Sequence, residues 1–511
     1  MRKHCLKAFI GVFLLSLGLA FAGCDTLEES DSPLEFALTN GSYTVVGLGS
    51  YEEGILTIPA TYKGKPVTAI GEGAFKNERE IGHLYIPDSV KTIEADAFNS
   101  CVNLTKVVLG NGVTEIESSA FAYCNQLETL TMSGSLVEIG DSAFNACVRL
   151  KAVDLPDTLE TIGANAFDEC KMLETVNFGT GLKTIGERAF HNCIALQGIE
   201  IPDGAPTNIM GSAFHSCESV GYIRLGDNVL TVGDYAFYAC QLTREVVLGD
   251  SLVSIGEGAF SACRKFYQIT LGESLTTIGA DAFDRCWLIR EVYNRSKIGI
   301  GAKDGQGKAL DGGLSAYVWY ERHDGDPTRI SKDENGLVYY TDGARKALVA
   351  IELERSTDIV VPDDVTEIAD YAGYNEQYIT SLVIGDGCTK IGENAFRNSY
   401  KIKKVIMGDS LETIGNYAFR YNWYIEEVVF GKKLKSVGKE AFLKKVGDKN
   451  CRSYKTLYYK GSPSEWMSVS FAEGNELLLA DTVTLAYYSE RMPATAGSYW
   501  YYENGKPTLW K

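Results

Sequence analysis

The pair Ala-Phe recurs along this chain at a constant interval, and that interval limits the fold more than any other property. The pair's ring residues are Phe75, Phe98, Phe121, Phe144, Phe167, Phe190, Phe214, Phe237, Phe260 and Phe283, then Phe396, Phe419 and Phe442. Steps within a run are 23 residues, except one of 24 where the stretch Pro206 to Met210 absorbs an insertion. A degenerate copy, Ala372-Gly373, precedes Phe396 by the same interval. A single closed core has no use for a constant spacing. A chain in which each segment packs on a copy of itself does, and the pattern therefore specifies a solenoid.

One copy, Leu104 to Leu127, shows how a rung is built. Its apolar residues are Leu104, Val107, Leu109, Val113, Ile116, Ala120, Cys124 and Leu127. Val107 and Leu109 are two apart, so both leave an extended strand on the same side. Gly110-Asn111-Gly112 turns the chain, and Ile116 starts the return. Alone, the rung has a strand without a hydrogen-bonding partner and a ring without a floor. Stacking supplies both, and each buried Phe then contributes about 1.5–3 kcal/mol. The expected fold is a leucine-rich repeat solenoid, α/β to mainly β: a right-handed stack of about fourteen rungs in two arrays with capping hairpins.

The core I-G-x-x-A-F-x-x-C-x-x-L appears at Ile139-Gly140-Ala143-Phe144-Cys147-Leu150 and at Ile162-Gly163-Ala166-Phe167-Cys170-Leu173. This pattern resembles the BspA-like, or Treponema-type, leucine-rich repeat family of bacterial surface proteins, over most of residues 34–511. The resemblance implies a surface location and a role in adhesion to host extracellular matrix or in coaggregation. It also implies that an internal cap and restart, and an aromatic C-terminal segment, belong to the architecture.

Residues 1–23 read as a lipoprotein signal peptide. Arg2, Lys3 and Lys7 precede an apolar run from Ala8 to Ala22, and Phe21-Ala22-Gly23 leads into Cys24, the residue expected to be acylated. Residues 24–33 form an acidic tether. Residues 34–291 hold an N-terminal cap, with an Asn40-Gly41 hairpin turn, and the first array. Residues 292–360 interrupt the repeat and end in a second capping hairpin around Asp342-Gly343. Residues 361–445 make the second array, and 446–511 an aromatic-rich cap. The formal charge is −18; removing the leader's three basic residues takes it to −21. That balance disfavours nucleic acid and anionic membrane surfaces as partners. No other stretch approaches 18 consecutive apolar residues, so membrane attachment is expected only through the lipid.

The chemistry-bearing residues mostly favour plain readings. Nine cysteines share one place in the repeat: Cys101, Cys124, Cys147, Cys170, Cys193, Cys217, Cys240, Cys263 and Cys286. Their number is odd, and Ser399 and Asn422 replace them in the second array, so they read as small buried side chains rather than a disulfide ladder. Zinc needs clustered Cys/His pairs, and no such spacing exists. His191 and His215 follow the Phe of adjacent rungs but lack two further ligands. The segment from Gly301 to Lys308 fails the phosphate-loop pattern at Ala302 and Ala309. Asp333 to Gly336 lacks the later bidentate Glu of a calcium loop and reads as a turn. No catalytic constellation and no cofactor are indicated.

The positions left for function are the outward strand residues flanking the inward pair. In the first array these include Tyr85, Asp154, Asn177, Glu200 and Arg224, in a mixed and mostly polar face without a repeated aromatic platform. In the second array Val383, Ile406 and Val429 form an apolar row, expected to be a contact surface for a partner or for the interrupting segment. The leading expectation is a lipid-anchored, surface-displayed, non-enzymatic scaffold binding protein or glycoprotein ligands on a host or neighbouring cell. The alternatives are an envelope spacer without a ligand, or carbohydrate binding through Tyr499-Trp500-Tyr501-Tyr502. If Cys24 carries the anchor, Cys24→Ala moves the protein from the detergent phase to the aqueous phase on Triton partitioning and abolishes palmitate labelling. Unchanged partitioning and labelling contradict the lipoprotein reading.

Overall fold

The structure is a computed structural model and describes residues 33–49, 54–299, 318, 320–444, 454–480, 483–493, 497–504 and 506–510. The leader, Cys24, nearly all of the tether and the segment from Gly301 to Lys308 lie outside them. The described chain divides into two compact units. The first holds 33–263, 271–285 and 296–299; the second holds 264–270, 286–295 and 318–510. The architecture is a mostly-β solenoid of about 16 turns with near-23-residue spacing and almost no helix.

In the first unit each turn has two short strands and a tight Ala-Phe corner. Lys106–Val108 pairs in parallel with His83–Tyr85 before it and Thr129–Thr131 after it. Glu115–Ile116 belongs to a second wall, a 13-stranded sheet running from the N-terminal hairpin to Thr277–Ile278. At the corner the amides of Asp96, Phe98 and Ser100 donate one rung forward to the carbonyls of Ser118, Ala120 and Ala122, at 2.7–2.9 Å. All three sides of a rung are thus bonded to the next. The corner requires left-handed backbone two residues before and two after each Phe, as at Ser119 and Tyr123 (φ 57° and 60°). Ala146, Glu169 and Arg188 adopt the same conformation, at a cost of roughly 1–2 kcal/mol each that the rung-to-rung bonds offset.

Identical offsets place identical side chains in contact. The ten rings from Phe75 to Phe283 stack at centroid spacings of 4.9–5.4 Å, all within 15° of parallel. The Gly of the repeated Ile-Gly pair is required by the same closeness: a Cβ on Gly163 would stand 2.6 Å from the amide nitrogen of Asp141. The side chains of Asp88, Asp141, Asp157, Asp203 and Asp227 each accept a backbone amide from the following rung, at 2.7–3.0 Å. These aspartates therefore serve the stack itself. The 24-residue step is confined to one turn. Register shifts between Thr207 and Asn208, the buried Thr207 hydroxyl donates to Leu182 O, and the Phe190–Phe214 rings stay 5.2 Å apart.

The cysteine ladder has the expected small buried side chains and adds a hydrogen-bonding role to them. Its members are buried free thiols, and each described S–H from Cys101 to Cys263 donates back to a Phe carbonyl of the preceding rung, as Cys147 Sγ does to Phe121 O at 3.3 Å. In the second array Ser399 Oγ donates to Gly373 O at 2.6 Å, and Asn422 Nδ2 to Phe396 O at 2.8 Å. The position selects a small buried donor, which Cys, Ser and Asn all provide.

The second unit opens on the hairpin Leu337–Asp342 with Arg345–Ile351, whose Ala347 and Leu348 pair in parallel with Glu367 and Ile368. One eight-stranded wall runs from Ile330–Lys332 through this hairpin to Ser470–Phe471, and a second runs from Thr357–Val361 to Lys506–Leu509. Two aperiodic stretches join the stack. Tyr320–Arg322 pairs in parallel with Glu291–Asn294, so the interruption supplies a strand although it carries no repeat signature. Glu291 is buried there and accepts from Arg322 Nε, the Thr328 hydroxyl and the Arg329 amide. Beyond Phe442 the period ends but parallel stacking continues through Thr456–Tyr459 and Thr484–Tyr488. Only the final hairpin, Tyr499–Glu503 with Lys506–Leu509, turns antiparallel. Trp500 is fully buried against Val429, Tyr458 and Ala486, and its Nε1 donates to Tyr459 O at 3.2 Å.

This packing sets the response of the thiols and of the buried C-terminal cap to substitution. Burial pushes the thiols of Cys147 and Cys217 up to about 12, so at pH 8 the native ladder should resist iodoacetamide and react fully once unfolded without reductant. Linked peptides from adjacent rungs would contradict it. In the same ladder Cys147→Ser, which keeps a donor, should be more stable than Cys147→Ala by about 1 kcal/mol in denaturant unfolding. At the far end, Trp500→Ala should cost about 3–5 kcal/mol, and Val429→Thr should lower the melting temperature while Val383→Thr leaves it near the parent's.

Candidate functional site

The outward face follows from strand geometry. Within each first-array strand the central residue is buried, as Val107, Val153, Val176 and Ile223 are, and its two neighbours point the other way. Asp154, Asn177, Glu200 and Arg224 are exposed, and Tyr85 is half-buried. Four of the five lie in successive rungs. Asn177 Nδ2 donates to Asp154 Oδ1 at 2.5 Å. Arg224 holds Glu245 through two 3.0 Å hydrogen bonds, lies 3.5 Å from Glu200, and covers the Tyr222 ring at 4.7 Å. Tyr85 stands apart from this group, with Lys106 Nζ 5.5 Å from its ring centroid.

The apolar row of the second array is placed differently from expectation. Val383 and Ile406 are half-buried, but Val429 is fully buried beneath Trp500 and Tyr458. Its cover is the C-terminal segment, neither a partner nor the interruption, and Val429 is unavailable to a ligand. At the other end the row gains Val360, which pairs with Val383 and is 62% exposed. Its alternation with buried Ile359 and Val361 was the available signal in the sequence. Trp500 of the aromatic segment is core, leaving Tyr499, Tyr501 and Tyr502 as its accessible rings.

Other candidate chemistry stays modest. Asp168, Glu169 and His191 bring ligand atoms within 4.8 Å of one another. The acids are already paired with cations: Arg188 lies 3.6 Å from Asp168, and Lys171 lies 2.7 Å from Glu169. His191 Nδ1 is 2.6 Å from Asp168 Oδ1, and its ring is 5.2 Å from that of His215. Burial, with His191 and Arg188 nearby, holds His215 below the ordinary histidine range. Asp333 organises a turn, accepting the amides of Asn335 and Leu337 and the Tyr339 hydroxyl, each at 2.9 Å. Among the described residues no helix is long and apolar enough to cross a membrane.

Comparison with known proteins agrees with this geometry. The profile described as "BspA type Leucine rich repeat region (6 copies)" matches residues 68–197, 183–302 and 352–473. Solved structures with similar folds include a leucine-rich repeat protein from Bacteroides ovatus, 20% identical over 90% of this chain and 99% of that one, TM-score 0.45. The pneumococcal vaccine antigen PcpA is 16% identical over 92% of this chain and 95% of that one, TM-score 0.33. A leucine-rich repeat protein of T. pallidum is 26% identical over 38% of this chain and 90% of that one, TM-score 0.35. No curated protein sequence matches. The profile covers more than half of the residues, and on that ground the chain belongs to the BspA-type leucine-rich repeat family.

Proposed function

We propose that this protein is a non-enzymatic binding scaffold, displayed outside the cell on a lipid at Cys24, whose outward strand face engages protein or glycoprotein ligands on a host or neighbouring cell. One observation carries the reading. Inward strand positions are apolar and buried rung after rung, whereas the outward pair changes from Thr129/Thr131 through Ala152/Asp154 and Tyr222/Arg224 to Glu245/Val247. The fold makes no demand on those positions, so their variety is free to serve recognition. A long face built on a stiff stack also presents many such positions in fixed geometry.

The test is surface plasmon resonance of the full chain against a panel of purified extracellular-matrix glycoproteins. Saturable binding to at least one is expected. It should weaken about tenfold or more in Arg224→Glu with Asn177→Lys, and stay unchanged when the exposed corner residue Tyr123 is replaced by Ser. Absence of saturable binding, or binding indifferent to the face variant, supports a spacer without a specific ligand.

A further inference from the structure

The outward face of the first array is broken at one place by a hollow of about 430 Å³, within the range of small-ligand sites. Glu174, Asn177, Gln197, Gly198, Glu200 and Tyr222 supply the groups that matter in its lining. Gly198 lines the hollow and lets a neighbouring ring approach it. The same strand position carries Ala152, Thr175, Tyr222 and Glu245 in the surrounding rungs. Gly in a strand interior costs stability and often marks close approach of another group. Here that group is the Tyr222 ring: a Cβ on Gly198 would lie 2.1 Å from its Cζ and 2.6 Å from its hydroxyl oxygen. The ring therefore leans over the glycine and walls the hollow. Arg224 lies over the same ring and is itself held by Glu245, so the wall is fixed in advance of any ligand.

The chemistry of the lining narrows the occupant. Glu174 and Glu200 are acceptors. Asn177 spends one of its two amide hydrogens on Asp154 and keeps its carbonyl oxygen as a further acceptor. Gln197 can both donate and accept. An anionic ligand is disfavoured by two carboxylates. A basic side chain would compete with Arg224 for Glu200 and would leave much of the hollow unfilled. A group dense in hydroxyls suits the acceptors of the lining, and its C–H groups can meet the part of the half-buried Tyr222 ring that Arg224 leaves uncovered.

We infer that this hollow is a glycan subsite that takes a neutral pyranose, packed against Tyr222 and donating hydroxyls to Glu174, Asn177 and Glu200. The inference rests on the reading of the outward face as the binding face, and it names the ligand chemistry of one place on it. Saturation-transfer NMR of the full chain, with neutral methyl glycosides of glucose, galactose, mannose and N-acetylglucosamine at roughly 10 mM, suits the weak affinity of a single sugar. At least one glycoside should receive saturation, most strongly at its ring C–H protons. Tyr222→Ala should abolish the transfer without lowering the melting temperature. Gly198→Ala, which keeps every lining group but displaces the ring, should weaken it at least about tenfold. No transfer to any glycoside, transfer unaffected by Tyr222→Ala, or Tyr222-dependent binding of a tetralysine peptide in place of sugar would each overturn the subsite. Matrix-glycoprotein binding that persists in Tyr222→Ala while the sugar signal is absent leaves the face reading intact and sinks only the glycan assignment.

Discussion

The backbone of each rung finds its hydrogen-bond partners in the rungs beside it. Parallel pairing on two walls and forward bonds at every corner mean that a residue meets its own equivalents 23 positions away. Such translation favours residues that pack well on themselves. Phe does, through offset parallel rings; a buried thiol does, by donating to a carbonyl one rung back. Charges do not, and at the turn position where Asp88, Asp157, Asp203 and Asp227 stand, each accepts an amide of the next rung.

The interval of the Ala-Phe pair made the rungs and their inward residues legible in the sequence, because these depend on spacing alone, and the Asn40-Gly41 and Asp342-Gly343 turns marked the two capping hairpins. Other features depend on who stands next door. Cys147 looks apolar in isolation; its role as a donor emerges only with the Phe121 carbonyl beside it. The left-handed corners are filled by Asn, Asp and Gly at some rungs but by Ser, Tyr, Ala, Glu and Arg at others, so residue type carries only a partial signal for them. Val429 looks like the outward partner of Ile406, and its cover comes from Trp500 in a stretch with no period. The parallel strand at Tyr320–Arg322 was hidden for the same reason: it adds a strand without copying the rung.

The candidate site divides along the same line. That Asp154, Asn177, Glu200 and Arg224 face outward follows from alternation in a strand. That Arg224 binds two glutamates and covers Tyr222, while Gly198 lines a hollow beside it, requires knowing how side chains from three rungs lean on one another. The acidic balance also changes meaning. Read from composition it concerns partners; in the structure a set of the carboxylates are hydrogen-bond acceptors for the stack, and those on the outward strands face a ligand.

The direction of the rung-to-rung bonds has a mechanical consequence. They run along the axis of each array, so tension applied between its ends loads one rung's bonds at a time, as a zipper does, rather than shearing many together. Each rung that peels away frees 23 residues, or about 75–80 Å of extended chain, in exchange for one strand spacing of about 4.8 Å. An array therefore stretches in discrete steps under load and dissipates work at each, while the rungs still stacked keep their face in register.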